Sequence, residues 1–121
     1  MESKKTLILG ATTNPDRYAY KAAHRLLENG HAIIPVGVKK GEVGGVKIVN
    51  NKDIVDGIDT ITLYIRPQIQ KEYYDYIINT KPKRVIFNPG TENEALYKLL
   101  EEKGIESEVA CTLVLLATDS Y

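Results

Sequence analysis

The chain has 121 residues, with 16 Lys plus Arg against 16 Asp plus Glu and a formal net charge of zero. That length fits one domain spanning residues 1–121 and able to bury roughly two-thirds of its unfolded surface. The balanced charge excludes broad electrostatic binding of nucleic acid or of an anionic membrane.

The single cysteine, Cys111, excludes an internal disulfide and points to a reducing, cytoplasmic setting. The apolar run Leu7-Ile8-Leu9 is too short for a signal-peptide core or a membrane span. A protein soluble in the cytoplasm is expected.

Residues 6–11 form a short apolar run of strand type that ends at Gly10-Ala11. Over 18–29, Ala19, Ala22, Ala23, Leu26 and Leu27 recur at helical spacing, and Gly30 supplies the stop. A second strand is predicted over 32–36. Residues 39–45 read as a charged, glycine-rich loop, and 46–49 as a brief edge strand or part of the connection. Residues 51–55 read as one helical turn.

The β-branched run over 60–65 predicts the next main strand. A helix over 67–79 follows, with Pro67 in its first turn. Further strands are predicted over 84–87 and 105–109. Helices are predicted over 92–103, closed by Gly104, and over 112–118. Strand and helix alternate throughout, and the strands are apolar runs without alternation, as when helices cover both faces of a parallel sheet. The fold class expected is therefore α/β, a three-layer, doubly wound, Rossmann-like parallel sheet. Ligands of such sheets sit beyond the carboxyl ends of the strands, where strand order reverses.

The segments that follow the strands are therefore the candidate site. The first reads Gly10-Ala11-Thr12-Thr13-Asn14-Pro15-Asp16-Arg17. Gly10 lets backbone approach a ligand closely. Asn14 reads as an N-cap and Pro15 as the first helical residue. Such a helix start offers backbone N–H groups to a pyrophosphate, with Thr12, Thr13 and Arg17 as further donors. The full GxGxxG fingerprint is absent.

After the second strand, at Val36, no acidic residue stands where one would hold the ribose of NAD; Lys39 and Lys40 follow instead. Lysine suits a ribose phosphate, which leaves coenzyme A, with its 3′-phosphate, and NADP, with its 2′-phosphate. Ile65, Arg66 and Pro67 can border an adenine ring. After the fourth main strand, Thr91 and Glu94 read as a capping box, while Asn88 and Gly90 face the same cleft.

No catalytic constellation assembles. His24 and His31 read as packing or surface residues, and Cys111 as a buried, inert thiol. No nucleophile elbow, HExxH or Walker sequence is present, and no metal site is expected.

Several motifs in order carry a wider resemblance: Gly10-Ala11-Thr12-Thr13-Asn14-Pro15 with Arg17 and Tyr20, Ile34-Pro35-Val36, Glu42-Val43 with Gly45, Ile58-Asp59-Thr60-Ile61, Asn88-Pro89-Gly90 with Asn93-Glu94, and Cys111. From Leu7 to about Cys111 the chain resembles the small stand-alone CoA-binding domain proteins. These are similar to the nucleotide-binding domain of the succinyl-CoA synthetase alpha subunit. Relatives commonly have Asn-Pro where this chain has Gly37-Val38, and Gln-x-Gly where it has Asn88-Pro89-Gly90.

The resemblance implies CoA or acyl-CoA held along the strand ends. Gly10, Thr12, Asn14 and Arg17 would face the pyrophosphate, with Ala11 and Thr13 as further cofactor-binding residues of the same turn. Val36, Lys39 and Lys40 would lie near the adenosine and its 3′-phosphate. Ile65, Arg66 and Pro67 would border the adenine, with Asn88 and Gly90 further along. It implies a non-catalytic binding module. The alternatives are an NADP-dependent reductase and a regulatory subunit of a CoA-ligase-like partner. The expected partners are a small nucleotide ligand and either a second copy of the chain or a larger CoA enzyme.

Overall fold

The computed structural model describes residues 3–121. In chain order the elements are β1 (Thr6–Leu9), α1 (Tyr18–Glu28), β2 (Ile33–Val36), β3 (Glu42–Val43), β4 (Val46–Lys47), β5 (Thr60–Leu63) and α2 (Pro67–Gln70). After a 3-10 turn at Lys71–Tyr73 come α3 (Tyr74–Thr80), β6 (Arg84–Phe87), α4 (Glu94–Glu102), β7 (Glu106–Val109) and α5 (Thr112–Ala117).

Five parallel strands form one sheet in the order β2-β1-β5-β6-β7. The chain leaves β1 toward β2 on one side and returns on the other side as β5. Strand order therefore reverses between β1 and β5.

Alternate residues of the buried strands feed two separate cores, because successive side chains leave a strand on opposite faces. Leu7, Leu9, Ile61, Leu63, Val85 and Phe87 meet Tyr76 and Ile77 of α3 and Leu96 and Leu100 of α4. Ile8, Ile33 and Ile86 meet Ala19, Ala23 and Leu26 of α1 and Leu116 of α5. The result is the expected three-layer α/β arrangement. β7 departs from the expected buried run: its Glu106, Ser107 and Val109 are exposed, since it has a partner strand on one side only.

Four local expectations are corrected. Residues 39–45 hold a strand: β3 pairs antiparallel with β4 through a two-residue turn at Gly44 and Gly45, φ +60° and +79°. Positive φ at both turn positions matches the twist of a tight hairpin, and glycine adopts it at no steric cost. Residues 51–55 form no helical turn, because the Asn51 side chain accepts the Asp53 N–H at 3.0 Å and diverts the backbone.

Third, the helix expected over 67–79 is broken by the 3-10 turn into α2 and α3. Fourth, the Thr91–Glu94 capping box does not form. Thr91 Oγ1 donates to Asn88 O at 2.8 Å, Glu92 accepts from Gly90 N–H, and Asn93 caps α4 by accepting the Leu96 N–H at 3.3 Å. Asn93 stands directly before the first helical residue, where a short side chain reaches the third N–H beyond it.

Candidate functional site

The carboxyl ends of β1 and β5 meet at Gly10. Its backbone, at φ +102°, lies so close to β5 that a Cβ there would sit 3.0 Å from the Tyr64 carbonyl and the Ile65 side chain. Gly10 thus serves close strand packing as well as any ligand approach. Gly10 and Ala11 N–H both donate to Val36 O at 2.9 Å, which ties the turn to the end of β2. Gly37 lies against Ala11, and Gly41 against Thr13. The segment from β2 to the β3–β4 hairpin therefore rests on the turn after β1, while Gly44 of the hairpin turn lies against Leu27 of α1.

That turn is built differently from the expected cap. Thr12 Oγ1 accepts the Asn14 N–H at 3.1 Å, and Asn14 Oδ1 accepts the Asp16 N–H at 3.0 Å. The Asn14 carbonyl accepts from Arg17 N–H at 3.1 Å. Asn14 and Pro15 consequently form a separate turn, and α1 starts at Tyr18. Arg17 is its N-cap and no side chain caps it. The earliest bond along this helix is Lys21 N–H to Arg17 O at 3.3 Å. The first-turn N–H groups therefore have no hydrogen-bond partner among the described residues, at the positive end of the helix dipole.

Cations surround this opening. Arg17, Lys39, Lys40 and Arg66 are exposed, and none is in an ion pair among the described residues. Asn50 holds the segment carrying the two lysines, its Nδ2 donating to Gly37 O at 2.8 Å and Lys39 O at 3.0 Å. Thr13 is exposed and Thr12 half-buried beside them. Pro67 opens α2 as expected, behind Arg66 as N-cap.

Other expected contacts have their side chains committed within the protein. Val36 and Ala11 belong to the two cores. Asn88 is 2% exposed. Its Nδ2 donates to Thr62 Oγ1 at 2.7 Å and Leu63 O at 2.9 Å, and its Oδ1 accepts from Thr112 N–H at 2.9 Å. This corrects the expectation that the Asn88 amide faces the cleft: it ties β5 and β6 to the start of α5. Gly90 stays exposed at φ +93°.

Two polar networks beneath the strand ends escaped the sequence reading. In one, Thr62 and Thr112 hydroxyls bond at 2.8 Å beside Asn88. Tyr64 lies against this pair, and burial pushes its phenol up to about 12 although both threonine hydroxyls pull the other way. The phenol remains protonated. In the other, buried Gln70 donates to Ile65 O and Thr91 O, both at 2.8 Å, while Asn93 Nδ2 donates to Gln70 Oε1 at 2.8 Å and Tyr74 OH at 2.9 Å. It joins the loop after β5 to the loop after β6. Gln70 lies inside a predicted helical segment that also holds Gln68, so no sequence signal singled it out.

The two histidines lie away from this edge, as expected of packing residues. His24 packs against Tyr20 with ring centroids 4.6 Å apart and the rings tilted, and His31 is buried just before β2.

A family model described as a CoA binding domain matches residues 4–117. The chain belongs to that family. Uncharacterized protein YneT of Bacillus subtilis is 29% identical over 103 residues, covering 84% of this chain and 76% of YneT. The crystal structure of an uncharacterized protein is 57% identical, covers all of both chains and superposes with a TM-score of 0.98. A hypothetical protein from Pyrococcus horikoshii is 31% identical with a TM-score of 0.81, covering 93% of this chain and 81% of its own.

A hollow of about 670 Å³ opens at the opposite, amino edge of the sheet, among Lys5, Asp59, Thr80, Lys81 and Lys83. It suits an anion poorly despite its size. The carboxyl end of α3 points its carbonyls there, and Lys83 already faces Asp59 at 3.8 Å. No helix among the described residues is long and apolar enough to cross a membrane.

Proposed function

We propose that this chain binds coenzyme A, free or acylated, across the carboxyl ends of β1, β2 and β5, as a cytoplasmic binding module without catalytic residues. The observation that carries this reading is the uncapped start of α1 beside four unpaired cations, in a chain of the CoA binding domain family. The pyrophosphate takes the first-turn N–H groups of α1, with Thr12, Thr13 and Arg17 as side-chain donors. Lys39 and Lys40 take the 3′-phosphate. Ile65, Arg66 and Pro67 border the adenine. Gly90 stands further along, where the pantetheine leaves.

The test is thermal unfolding with CoA, dephospho-CoA, NAD, NADP and ATP. CoA at about 100 times its dissociation constant adds roughly 2.7 kcal/mol of stability. Dephospho-CoA binds more weakly, because Lys39 and Lys40 lose their target. A shift with NADP and none with CoA at millimolar concentration transfers the site to the other ribose phosphate; no shift with any of the five removes the reading.

A further inference from the structure

The loop that carries Lys39 and Lys40 is closed by backbone bonds at both ends. At its start, Gly37 N–H donates to Val49 O at 3.0 Å, and Val49 N–H donates to Pro35 O at 2.8 Å. At its end, Ile48 N–H donates to Gly41 O at 2.8 Å. Both ends also lie against the turn after β1. A Cβ on Gly37 would collide with Ala11 O, and one on Gly41 with the Thr13 side chain. Residues 37–41 therefore form a closed loop pressed onto that turn.

One side chain holds the middle of this loop. Asn50 Nδ2 donates to Gly37 O at 2.8 Å and to Lys39 O at 3.0 Å. Both acceptors are carbonyls, so only the amide nitrogen can face them, and its two hydrogens can serve one carbonyl each. In a planar trans peptide the N–H points opposite to the C=O. The N–H groups of Val38 and Lys40 therefore point away from Asn50, and neither has a hydrogen-bond partner among the described residues. The amide thus draws two carbonyl oxygens inward. It leaves main-chain donors on the outer side of the loop, beside the exposed side chains of Lys39 and Lys40.

We infer that Asn50 is a positioning residue for the ribose phosphate of CoA. Its amide sets the loop so that a 3′-phosphate meets N–H and ammonium groups and neither of the two carbonyls. The inference rests on the CoA reading above and adds to it a residue that acts only through the loop. Without the amide, the oxygens of Gly37 and Lys39 are free to turn outward and repel an anion. A loop already fixed in its bound form also loses less freedom when the ligand arrives. A ligand that lacks the phosphate gains nothing from either effect.

Calorimetric titration with CoA and dephospho-CoA tests this on the wild type, Asn50→Ala and Asn50→Leu. Asn50→Leu keeps the volume of the side chain and removes its donors without adding charge. An effect common to both variants therefore reports the two hydrogen bonds and not the space. The wild type is expected to bind CoA on the order of tenfold tighter than dephospho-CoA. Both variants should lose most of that preference by weakening CoA alone. Their retained binding of dephospho-CoA also reports that they are folded.

If the preference for CoA survives in either variant, the Asn50 assignment fails and the CoA reading stands. If both ligands weaken equally, Asn50 shapes the site as a whole, and the assignment again fails. If the wild type binds the two ligands alike, the loop does not read the 3′-phosphate; the assignment fails and CoA binding stands. If CoA itself does not bind, the CoA reading fails, and the Asn50 assignment with it.

Discussion

The two ends of the central sheet treat their polar groups in opposite ways. At the amino end, Arg84 is buried and fully engaged. It bonds to Thr60 Oγ1 at 2.9 Å, Glu108 at 2.9 Å and the Tyr121 backbone oxygen at 3.0 Å, and its guanidinium lies 4.5 Å from the Tyr121 ring centroid. Thr6 bonds to the Tyr121 hydroxyl, and Lys4 to the Tyr121 backbone oxygen. At the carboxyl end, Arg17, Lys39, Lys40 and Arg66 stand exposed and unpaired around an uncapped helix start. Cations at one end hold the fold together, while those at the other remain available to an anion.

This contrast is broken if amino-end changes alter ligand affinity or carboxyl-end cation changes alter stability. Arg84→Ala has the largest expected effect. It leaves Glu108 and Thr60 Oγ1 without their donor, at a cost of about 3 kcal/mol in chemical denaturation. CoA affinity should not move in the fraction that stays folded. Asn88→Ala comes next, and it tests the buried layer beneath the site. Thr112 N–H and Leu63 O lose their partner, at about 2 kcal/mol.

The same contrast explains what the sequence could disclose. Sheet and layers were legible because buried strands such as Leu7-Ile8-Leu9 and Val85-Ile86-Phe87 are apolar runs between helical patterns, whereas the strand order that sets the switch point was not. The exposed cations were legible because they follow strand ends directly. The start of α1 was misread. Asn14-Pro15 satisfies every local rule for a cap, yet the Thr12 and Asn14 side chains close turns of their own. The hairpin was missed because two residues per strand are too few to show alternation, which left Gly44-Gly45 as its lone mark. Gln70 bonds to Thr91, 21 positions away, and Asn88 to Thr62, 26 positions away, and no local pattern reports such partners.

At the carboxyl end, Arg17→Ala should weaken CoA binding about tenfold, the worth of one charge-assisted phosphate contact. Its effect on unfolding should stay within about 0.5 kcal/mol, since Arg17 is exposed and its side chain has no hydrogen-bond partner among the described residues. The pair Lys39→Ala and Lys40→Ala should lower CoA affinity toward that of dephospho-CoA, with dephospho-CoA affinity unchanged. Equal loss for both ligands would move the 3′-phosphate away from these lysines.

The smallest effect, and the sharpest test of the amino end, is its response to acid. His31 is 1% exposed, and its Nδ1 accepts the Lys4 N–H at 2.9 Å. Burial lowers its pKa below 6.5, the positive charges of Lys4 and Arg84 lower it further, and Asp59 opposes them. The unfolded chain therefore takes up a proton near pH 6.5 that the folded protein refuses until lower pH. The contribution of His31 to stability is complete above pH 6.5 and is lost as pH falls from there to the folded value. His31→Gln keeps an acceptor for Lys4 and removes the titration. Its stability should fall less steeply than the wild type's just below pH 6.5. CoA binding, at the other end of the sheet, should show no difference between the two over the same range. Parallel slopes in denaturation would mean that His31 is as free to take up a proton folded as unfolded, and that the amino end is less closed than Arg84 and Tyr121 make it.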